Sequence, residues 1–464
     1  MATRREILQH SLPAALAVGA GIGAAANSAA GIADKSAAPI VAPDLSFLRD
    51  NAPVDVERAR HFMAVAGLDA LVVTQAPNVY YLSGHWPQLD RMRHDHTALA
   101  ILPRDPARPV SVIMPVFLWY YTHSAEFGNR PYVMYTYSAP DPAAHAAADA
   151  SEPIAIVQKP YRIMDPALLT EREKSRRAAL QRVHYNGAEI SYALAAALRD
   201  MGLSAANLGT DSEDVKVWVE QRGLAAHCRP AENLLRRVRM AKSPTELQVM
   251  RIAARNNVAA ALEAAQQARQ LGSKNALRQA FFAAASRHGN TGVFMVVDGA
   301  STDLIDAPIR DGDAFSIDCV SHCRHYHGDF SRTVFIGEPR PALKRITSAV
   351  AVAWQEIREQ LRPGMLYAEI PRIGRESLKK QGVDVTISFT PHSVGLWHTD
   401  QPYASAREPA AIEPLRLEEN MVLSVDCPLM DTAVGGTTHL EDLMWIRTGG
   451  AQSLHDRPPA VITV

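Results

Sequence analysis

The chain has 464 residues, of which 47% are hydrophobic and 21% charged, and its formal net charge at pH 7 is −1. That length exceeds an ordinary single domain, so we expect a globular protein with two or more domains. The near-neutral charge excludes a basic surface for nucleic acid or for an anionic membrane, and four cysteines are too few for a disulfide framework.

The first 31 residues have the pattern of an export signal. Arg4 and Arg5 precede an Ala/Gly-rich apolar stretch from Leu12 to about Ala26, and small residues suited to cleavage follow. Paired arginines before a weakly hydrophobic core are typical of a twin-arginine signal; a Sec signal and a retained anchor are the alternatives. The stretch is too short and too rich in glycine to favour a membrane span. We therefore expect residues 1–31 to be removed and the mature protein to be periplasmic, without a membrane span.

Residues 46–232, after an Ala/Pro-rich linker, are predicted to form an α/β domain. The pattern of apolar residues predicts, in chain order, a helix over Val56–Val65, strands at Leu68–Thr74, Ala98–Leu102 and Val110–Met114, a helix near Pro166–Asp200, and a strand at Asn207–Gly209. The short segment 139–150, rich in alanine and proline, is predicted to be a surface excursion.

Residues 235–456 are predicted to form a second α/β or α+β domain. Ser243 is a candidate helix cap, Pro244 suits the first helical position, and Glu246 completes a capping box. The helix is expected to reach about Leu271. Three further helices are predicted to alternate with strands: Asn275–His288, Pro341–Arg362 and Tyr367–Gln381.

Two aspartates eleven positions apart, Asp318 and Asp329, are the most informative feature of this second domain. Asp318 is predicted to end an apolar strand, and Phe330–Ile336 has the pattern of the next strand. The polar stretch between the aspartates suits a connection that folds one strand back beside the other. Two carboxylates brought face to face repel each other unless a cation lies between them. The alternative is a pair of strand ends held by salt bridges.

Three downstream segments offer further ligands for a cation. His392 and His398 stand six residues apart around a glycine, and Asp426 ends a predicted strand from Met421. In the third segment, Thr437, His439 and Glu441 would share one face of a strand, because strand side chains alternate. Four carboxylates and one imidazole suit a pair of divalent ions better than a structural zinc site. That predicted metal set is Asp318, Asp329, His392, Asp426 and Glu441.

These segments resemble the pita-bread metallohydrolases of peptidase family M24, which includes Xaa-Pro aminopeptidases, prolidases, methionine aminopeptidases and creatinase. The run 310–333, where the paired aspartates are followed by Phe-Ser-Arg-Thr, carries most of the resemblance, and Gly67–Gly84 is similar to the start of a creatinase-type domain. The resemblance implies a creatinase-like N-terminal α/β domain followed by a C-terminal pita-bread catalytic domain.

The resemblance also implies the chemistry of the site. Two divalent metal ions are expected, manganese first and cobalt or zinc as alternatives. Asp318 would chelate one ion, Asp329 and Glu441 would bridge both, and His392 with Asp426 would complete the shell. A metal-bridging hydroxide would then attack a scissile carbonyl. His398 would stabilise the oxyanion or pass a proton, with His439 as a second catalytic candidate. The family further suggests a homodimer and a small peptide or small-molecule substrate.

Four positions depart from the usual pattern of this family. Asp426 stands where glutamate is usual, His398 follows His392 by six residues instead of seven, and His439 stands where many relatives have arginine. The stretch 294–306 lacks the histidine of aminopeptidases, and Asp303 and Asp306 are the charged candidates in its place. These departures weaken a direct assignment as a peptidase, but an exopeptidase for Xaa-Pro peptides is still the favoured function. The alternatives are a non-peptidase hydrolase or lyase for a small metabolite, and a binding protein with a degraded metal site.

Other polar residues have simpler interpretations. His322, His325 and His327 are predicted to form a solvated turn in preference to a second metal site. Cys319 and Cys427 are interpreted as small buried strand residues.

Overall fold

The structure is a computed structural model that describes residues 42–123, 131–138, 162–409, 414–456 and 458–464. The predicted export signal and the segment 139–150 lie outside the described residues. No helix in the described ranges has the length and apolar character needed to cross a membrane.

The described chain contains α-helices and strands throughout. The α-helices are α1 Phe47–Asp50, α2 Val56–Val65, α3 Ala76–Ser83, α4 Val116–Leu118, α5 Glu171–Gln181, α6 Ile190–Asp200, α7 Glu213–Gln221, α8 Glu232–Met240, α9 Pro244–Gln266, α10 Ala268–Leu271, α11 Lys274–Arg287, α12 Pro341–Gln360 and α13 Glu369–Lys380. The strands are β1 Ala70–Val73, β2 Leu99–Pro103, β3 Ser111–Pro115, β4 Val133–Tyr137, β5 Val183–Gly187, β6 Asn207–Thr210, β7 His227–Pro230, β8 Thr291–Val297, β9 Ala314–Cys323, β10 Tyr326–Phe335, β11 Thr390–Ser393, β12 Val422–Asp426, β13 Glu441–Asp442, β14 Met444–Arg447, β15 Gly450–Ser453 and β16 Val461–Thr463.

The N-terminal half is built on a seven-stranded sheet in the order β5-β4-β3-β2-β1-β6-β7. Strand β1 is antiparallel to β2, and β2 is antiparallel to β3. Parallel strands extend the sheet on both sides, β4 and β5 beyond β3, and β6 and β7 beyond β1. All four residues of β1 are buried, because β1 lies at the centre of the sheet with neighbours on both edges.

Two predictions for this half were wrong in detail. The single helix expected near Pro166–Asp200 is two helices, α5 and α6, separated by strand β5, which pairs with β4. The strand predicted at Leu68–Thr74 is shorter, β1 Ala70–Val73, and helix α3 begins at Ala76, where Pro77 suits a first helical turn and Gly84 ends the helix at a left-handed φ of 72°.

Helix α9 supports the strands that carry the paired aspartates. Its predicted capping box is confirmed: Ser243 and Glu246 bond each other's backbone N–H. The helix packs closely against β10 at Gly328, where an added Cβ would lie 2.7 Å from the carbonyl oxygen of Ala253. Asn257 on the same helix donates to the carbonyl of Cys319 at 2.8 Å. Glycine beside Asp329 therefore permits the contact that fixes β9 and β10 on α9.

Two smaller sheets complete the C-terminal half. One has the order β13-β10-β9-β8, with β16 also paired to β10, and the other has the order β11-β12-β14-β15. Strands β9 and β10 form the predicted hairpin, but its turn is only Arg324 and His325, with φ values of 47° and 70°. Asp318 and Asp329 consequently lie inside strands, and the expectation that Asp318 ends its strand was wrong.

Candidate metal centre

Strand register brings three polar side chains into one row on the β13-β10-β9 sheet. Ser331 on β10 is paired with Asp318 on β9 and with Glu441 on β13. Directly paired residues project to the same face of a sheet. Asp329 precedes Ser331 by two residues and so shares that face. Three predicted ligands, Asp318, Asp329 and Glu441, therefore lie together.

The β11-β12 pair contributes a second row. His392 is paired with Ser424, and Asp426 follows Ser424 by two residues on β12. The same alternation places His392 and Asp426 on one face. The two sheets thus bring together the five predicted ligands, although these are spread over more than a hundred positions of the chain.

His392 lies at the centre of these carboxylates. Its Nε2 atom is 3.4 Å from Oε1 of Glu441, 3.5 Å from Oδ2 of Asp329 and 3.6 Å from Oδ1 of Asp426. His398 approaches from the loop after β11, with Nε2 at 3.2 Å from Oδ2 of Asp329. The spacing of six residues therefore still brings His398 to the predicted metal ligands.

The segment before Glu441 differs from the prediction. Strand β13 begins only at Glu441, so the prediction of a strand that includes Thr437 was wrong. Thr437 Oγ1 instead donates to Asp298 at 2.7 Å and accepts from the backbone N–H of Ser316 at 3.0 Å. His439 still reaches the site, with Nε2 at 3.8 Å from Oδ1 of Asp426 and 3.9 Å from Oε2 of Glu441.

The carboxyl groups strongly perturb one another. Burial, and then the charges of Asp329 and Asp426, raise the pKa of Asp318 to about 7. Burial and the same two neighbours raise the pKa of Glu441 well above its usual range. Burial opposes protonation of His398, but the carboxylate of Asp329 raises the His398 pKa to about 9. The site thus brings together several buried carboxyl groups whose mutual repulsion a cation would relieve.

Several buried polar atoms of the site have no hydrogen-bond partner among the described residues: Oδ1 of Asp318, both carboxylate oxygens of Asp329, both ring nitrogens of His392 and Nε2 of His439. Unpaired buried polar atoms are costly, so a convergent set of them indicates an intended ligand. Oxygen-rich donors with imidazole fit divalent metal ions. The residues present therefore fit the predicted pair of ions.

A surrounding set of bonds fixes Glu441, and the sequence reasoning missed it. Ser424 donates to Oε1 of Glu441 at 2.5 Å and Ser331 donates to Oε2 at 3.1 Å. Arg332, 1% exposed, forms an ion pair of 2.6 Å with Asp442 and donates to the Glu441 carbonyl at 2.8 Å. Ser331 and Arg332 follow Asp329 closely in the sequence and were a possible signal. Their partners, Glu441 and Asp442, are set by long-range strand pairing.

Asp303 and Asp306, the charged candidates in the stretch that lacks the histidine of aminopeptidases, are not part of this site. Asp306 accepts from the backbone N–H groups of Asn275 and Ala307, so it stabilises a loop. Asp303 is exposed. The ring of Phe294 on β8 lies edge-on to that of His398, with 5.4 Å between centroids. The apolar ring of Phe294 therefore contacts His398, the catalytic candidate. Phe294 belongs to the segment in which aminopeptidases have a histidine.

The histidines near the β9-β10 turn are less solvated than predicted. His327 is 9% exposed, and His325 stacks on Trp86 with 3.5 Å between ring centroids. The prediction of a solvated turn was wrong, because Trp86 from the N-terminal half covers the turn. Cys319 is a buried residue of β9, as predicted, whereas Cys427 is buried but lies directly after the end of β12.

Comparison with known proteins gives two family matches. The sequence model described as metallopeptidase family M24 matches residues 228–448, and that described as the creatinase/prolidase N-terminal domain matches residues 56–156. The chain is similar to an Xaa-Pro dipeptidase of Pyrococcus furiosus, 31% identical over 150 residues, which is 32% of this chain and 41% of that protein. The aligned region thus spans less than half of the relative.

Solved structures resemble the chain over a longer range. A dipeptidase from Pyrococcus horikoshii OT3 matches with a TM-score of 0.62 at 17% identity, over 88% of this chain and 99% of that one. The Xaa-Pro dipeptidase from Bacillus anthracis matches with a TM-score of 0.61 at 15% identity, over the same shares. These matches confirm the expected fold: a creatinase-type α/β domain followed by a pita-bread domain.

Proposed function

Since the chain belongs to metallopeptidase family M24, we propose that it is a hydrolase with two divalent metal ions that acts on Xaa-Pro peptides as an exopeptidase. One observation carries the proposal: four carboxylates and His392 converge, and several of their buried atoms lack hydrogen-bond partners. Such a set fits a metal pair and has no simpler structural role.

The residues of the site would have different roles in hydrolysis. Asp318, Asp329, His392, Asp426 and Glu441 hold the metal pair. Two divalent ions polarise a scissile carbonyl and make water acidic near neutral pH. Ser331 and Ser424 donate hydrogen bonds to the two oxygens of Glu441, which fixes the orientation of a carboxylate that would hold metal. His398 lies at the edge of the set, 3.2 Å from Asp329, and is placed to donate a proton or a hydrogen bond to the substrate.

The preference for Xaa-Pro peptides is supported by similarity to the Xaa-Pro dipeptidase of Pyrococcus furiosus. Chemistry on a small non-peptide metabolite is the second candidate. Two features alter the groups that would contact substrate, although the predicted metal ligands are kept. The ring of Phe294 lies against His398, and a histidine stands at position 439. A fold alone does not determine the substrate, so the two candidates need a direct test.

Metal analysis and turnover test the proposal together. The protein is stripped of metal, reconstituted separately with manganese, cobalt and zinc, and assayed for bound metal. The expected result is close to two ions per chain, with release of proline from Ala-Pro or Gly-Pro and release of the N-terminal residue from longer Xaa-Pro peptides. Two bound ions with turnover only of small amide metabolites would establish the second candidate. Absence of bound metal in all three trials would refute both.

A matched pair of variants controls for general effects of removing a carboxylate. Asp329→Asn should abolish metal binding and activity, because Asp329 is buried at the centre of the site. Asp303→Asn should leave both unchanged, because Asp303 is exposed and outside the site.

We also propose export and dimerisation. Arg4, Arg5 and the apolar stretch after them support the twin-arginine route to the periplasm. Replacing both arginines by lysine should retain the protein in the cytoplasm, and unchanged export would exclude this route. Family resemblance supports a homodimer, which sedimentation of the mature chain would measure directly.

A further inference from the structure

His439 has the environment of a ligand. His439 is 8% exposed to solvent, and its Nε2 atom has no hydrogen-bond partner among the described residues. Nε2 lies 3.9 Å from Oε2 of Glu441 and 3.8 Å from Oδ1 of Asp426. Two donors on one ion with bonds of about 2.1 Å are separated by about 3–4 Å. An imidazole nitrogen at this spacing from two carboxylates can therefore share an ion with either of them.

The ligand atoms form two groups that each contain one imidazole. Asp318, His439 and Glu441 offer atoms that all lie within 4.8 Å of one another, and so do His392, Asp426 and Glu441. Glu441 belongs to both groups. Two ions bridged by Glu441 would thus each have a carboxylate and an imidazole of their own.

We propose that His439 is a sixth metal ligand, bound to the ion that Asp318 holds. The proposal rests on the two-metal function above and changes the assignment of His439 from catalysis to metal binding. Arginine at this position could not act as a ligand, because guanidinium has no free lone pair and stays protonated. A neutral imidazole supplies that lone pair. A second imidazole should shift the metal preference from manganese toward cobalt or zinc, which favour nitrogen ligands.

His398 offers the competing assignment, because Asp329, His392 and His398 also form a group with ligand atoms within 4.8 Å. The two histidines differ in setting. His439 is buried and its Nε2 is unpartnered, whereas Nε2 of His398 lies 3.2 Å from Asp329 on a less buried side chain, 32% exposed. The number of imidazoles per metal ion must therefore be measured in a variant that lacks His398.

X-ray absorption of zinc provides a count that does not depend on activity. In the two-zinc His398→Gln variant, the expected average is about one imidazole per zinc ion, and the additional change His439→Gln should lower it to about one half. An average of about one half imidazole per zinc ion in the His398→Gln variant, which still has His439, would overturn the proposal and leave the two-metal function intact. A wild-type chain that binds no zinc, cobalt or manganese would overturn both.

Metal affinity gives a second measurement on folded protein. His439→Gln should weaken binding of one cobalt ion by at least about ten-fold, while the other ion stays bound. His398→Gln is the matched control and should leave both affinities within about three-fold of the wild-type values, a change of less than 1 kcal/mol. Equal cobalt affinities in wild type and His439→Gln would contradict the proposal, provided that the far-UV circular dichroism spectra agree.

Discussion

Nη2 of Arg239 lies 2.8 Å from Oδ1 of Asp400, and neither side chain is exposed to solvent. Oδ2 of Asp400 also accepts from the backbone N–H of Leu396 at 3.2 Å. The pair thereby closes a short loop that carries Trp397 and His398. Arg239 donates as well to Asn78 on α3, so the N-terminal half takes part in holding the loop that presents His398 to the metal site.

Replacing Asp400 by alanine should destabilise the protein strongly. Arg239 would remain charged and buried with the longer contact of 3.6 Å to Glu232, and loss of one partner of a buried ion pair costs about 3–5 kcal/mol. Because the loop loses its anchor, kcat should fall as well. Urea unfolding followed by circular dichroism measures the free energy of unfolding, and steady-state kinetics measure kcat.

The surface pair of Arg108 and Asp105 provides the control for Asp400→Ala. Both side chains of that pair are substantially exposed, at 39% and 52%. Asp105→Ala should therefore leave the free energy of unfolding close to the wild-type value. Similar losses of stability in Asp105→Ala and Asp400→Ala would show that the buried pair has no special role.

Gly395→Ala should disturb the same loop by steric overlap. An added Cβ would lie 2.7 Å from Oδ2 of Asp400 and 2.8 Å from Nζ of Lys242. Both groups are buried and held by partners, so they have little freedom to move away. We expect a loss of about 1–3 kcal/mol in the free energy of unfolding, together with lower kcat.

Gly449→Ala is the control, because a Cβ at Gly449 would meet no atom within 4 Å. Its free energy of unfolding should stay within about 0.5 kcal/mol of wild type. If Gly395→Ala is equally neutral, the loop is less tightly held than these contacts indicate.

Local patterns in the sequence were sufficient for much of the metal site. Alternation along strands places Asp318 and Asp329 on β9 and β10, and their separation by eleven residues predicts a hairpin. The resemblance to one family supplied His392, Asp426 and Glu441. What could not be read from the sequence is the register of β13, because the contact of Ser331 with Glu441 joins residues 110 positions apart.

The same limit explains the error at the hairpin turn and the ion pair beside His398 that was not predicted. Polar composition predicted a solvated turn, but Trp86, from the loop after α3, stacks on His325. The ion pair of Arg239 and Asp400 joins residues 161 positions apart. Neither contact has a local signal, since each joins residues that are far apart in the chain.

Asp426→Glu should preserve metal binding and give equal or greater activity. The Asp426 side chain is 31% exposed, so a longer side chain has room on its solvent side. Glutamate is the usual residue here in the family that the chain resembles. Metal content and kcat of the reconstituted variant check the prediction.

Asp329→Glu is the matched control, since Asp329 is 1% exposed and an added methylene has no space there. That variant should lose bound metal. Loss of both metal and activity in Asp426→Glu would instead show that the shorter carboxylate at position 426 is an adaptation of this site.

His325→Asn should weaken the acid sensitivity of folding. Burial, and then the charge of His322, lower the pKa of His325 from 6.5 to about 2. A histidine whose folded pKa is depressed stabilises the fold fully above 6.5, and that contribution is lost as the pH falls from 6.5 toward 2. Asparagine does not titrate and accepts the left-handed φ of 70° at this position. Between pH 6.5 and about 4.5 the wild type should lose up to about 2 kcal/mol more than the variant.

Urea unfolding at a series of pH values measures this difference. The variant also loses the stacking of His325 on Trp86, so its stability should be lower at neutral pH, and the informative quantity is the slope against pH. His227→Asn is the control, because His227 is exposed on β7 and meets solvent in the folded and unfolded chain alike. Parallel slopes for wild type and His325→Asn would mean that the ring of His325 becomes protonated in the folded protein without cost, and that Trp86 does not shield it from water.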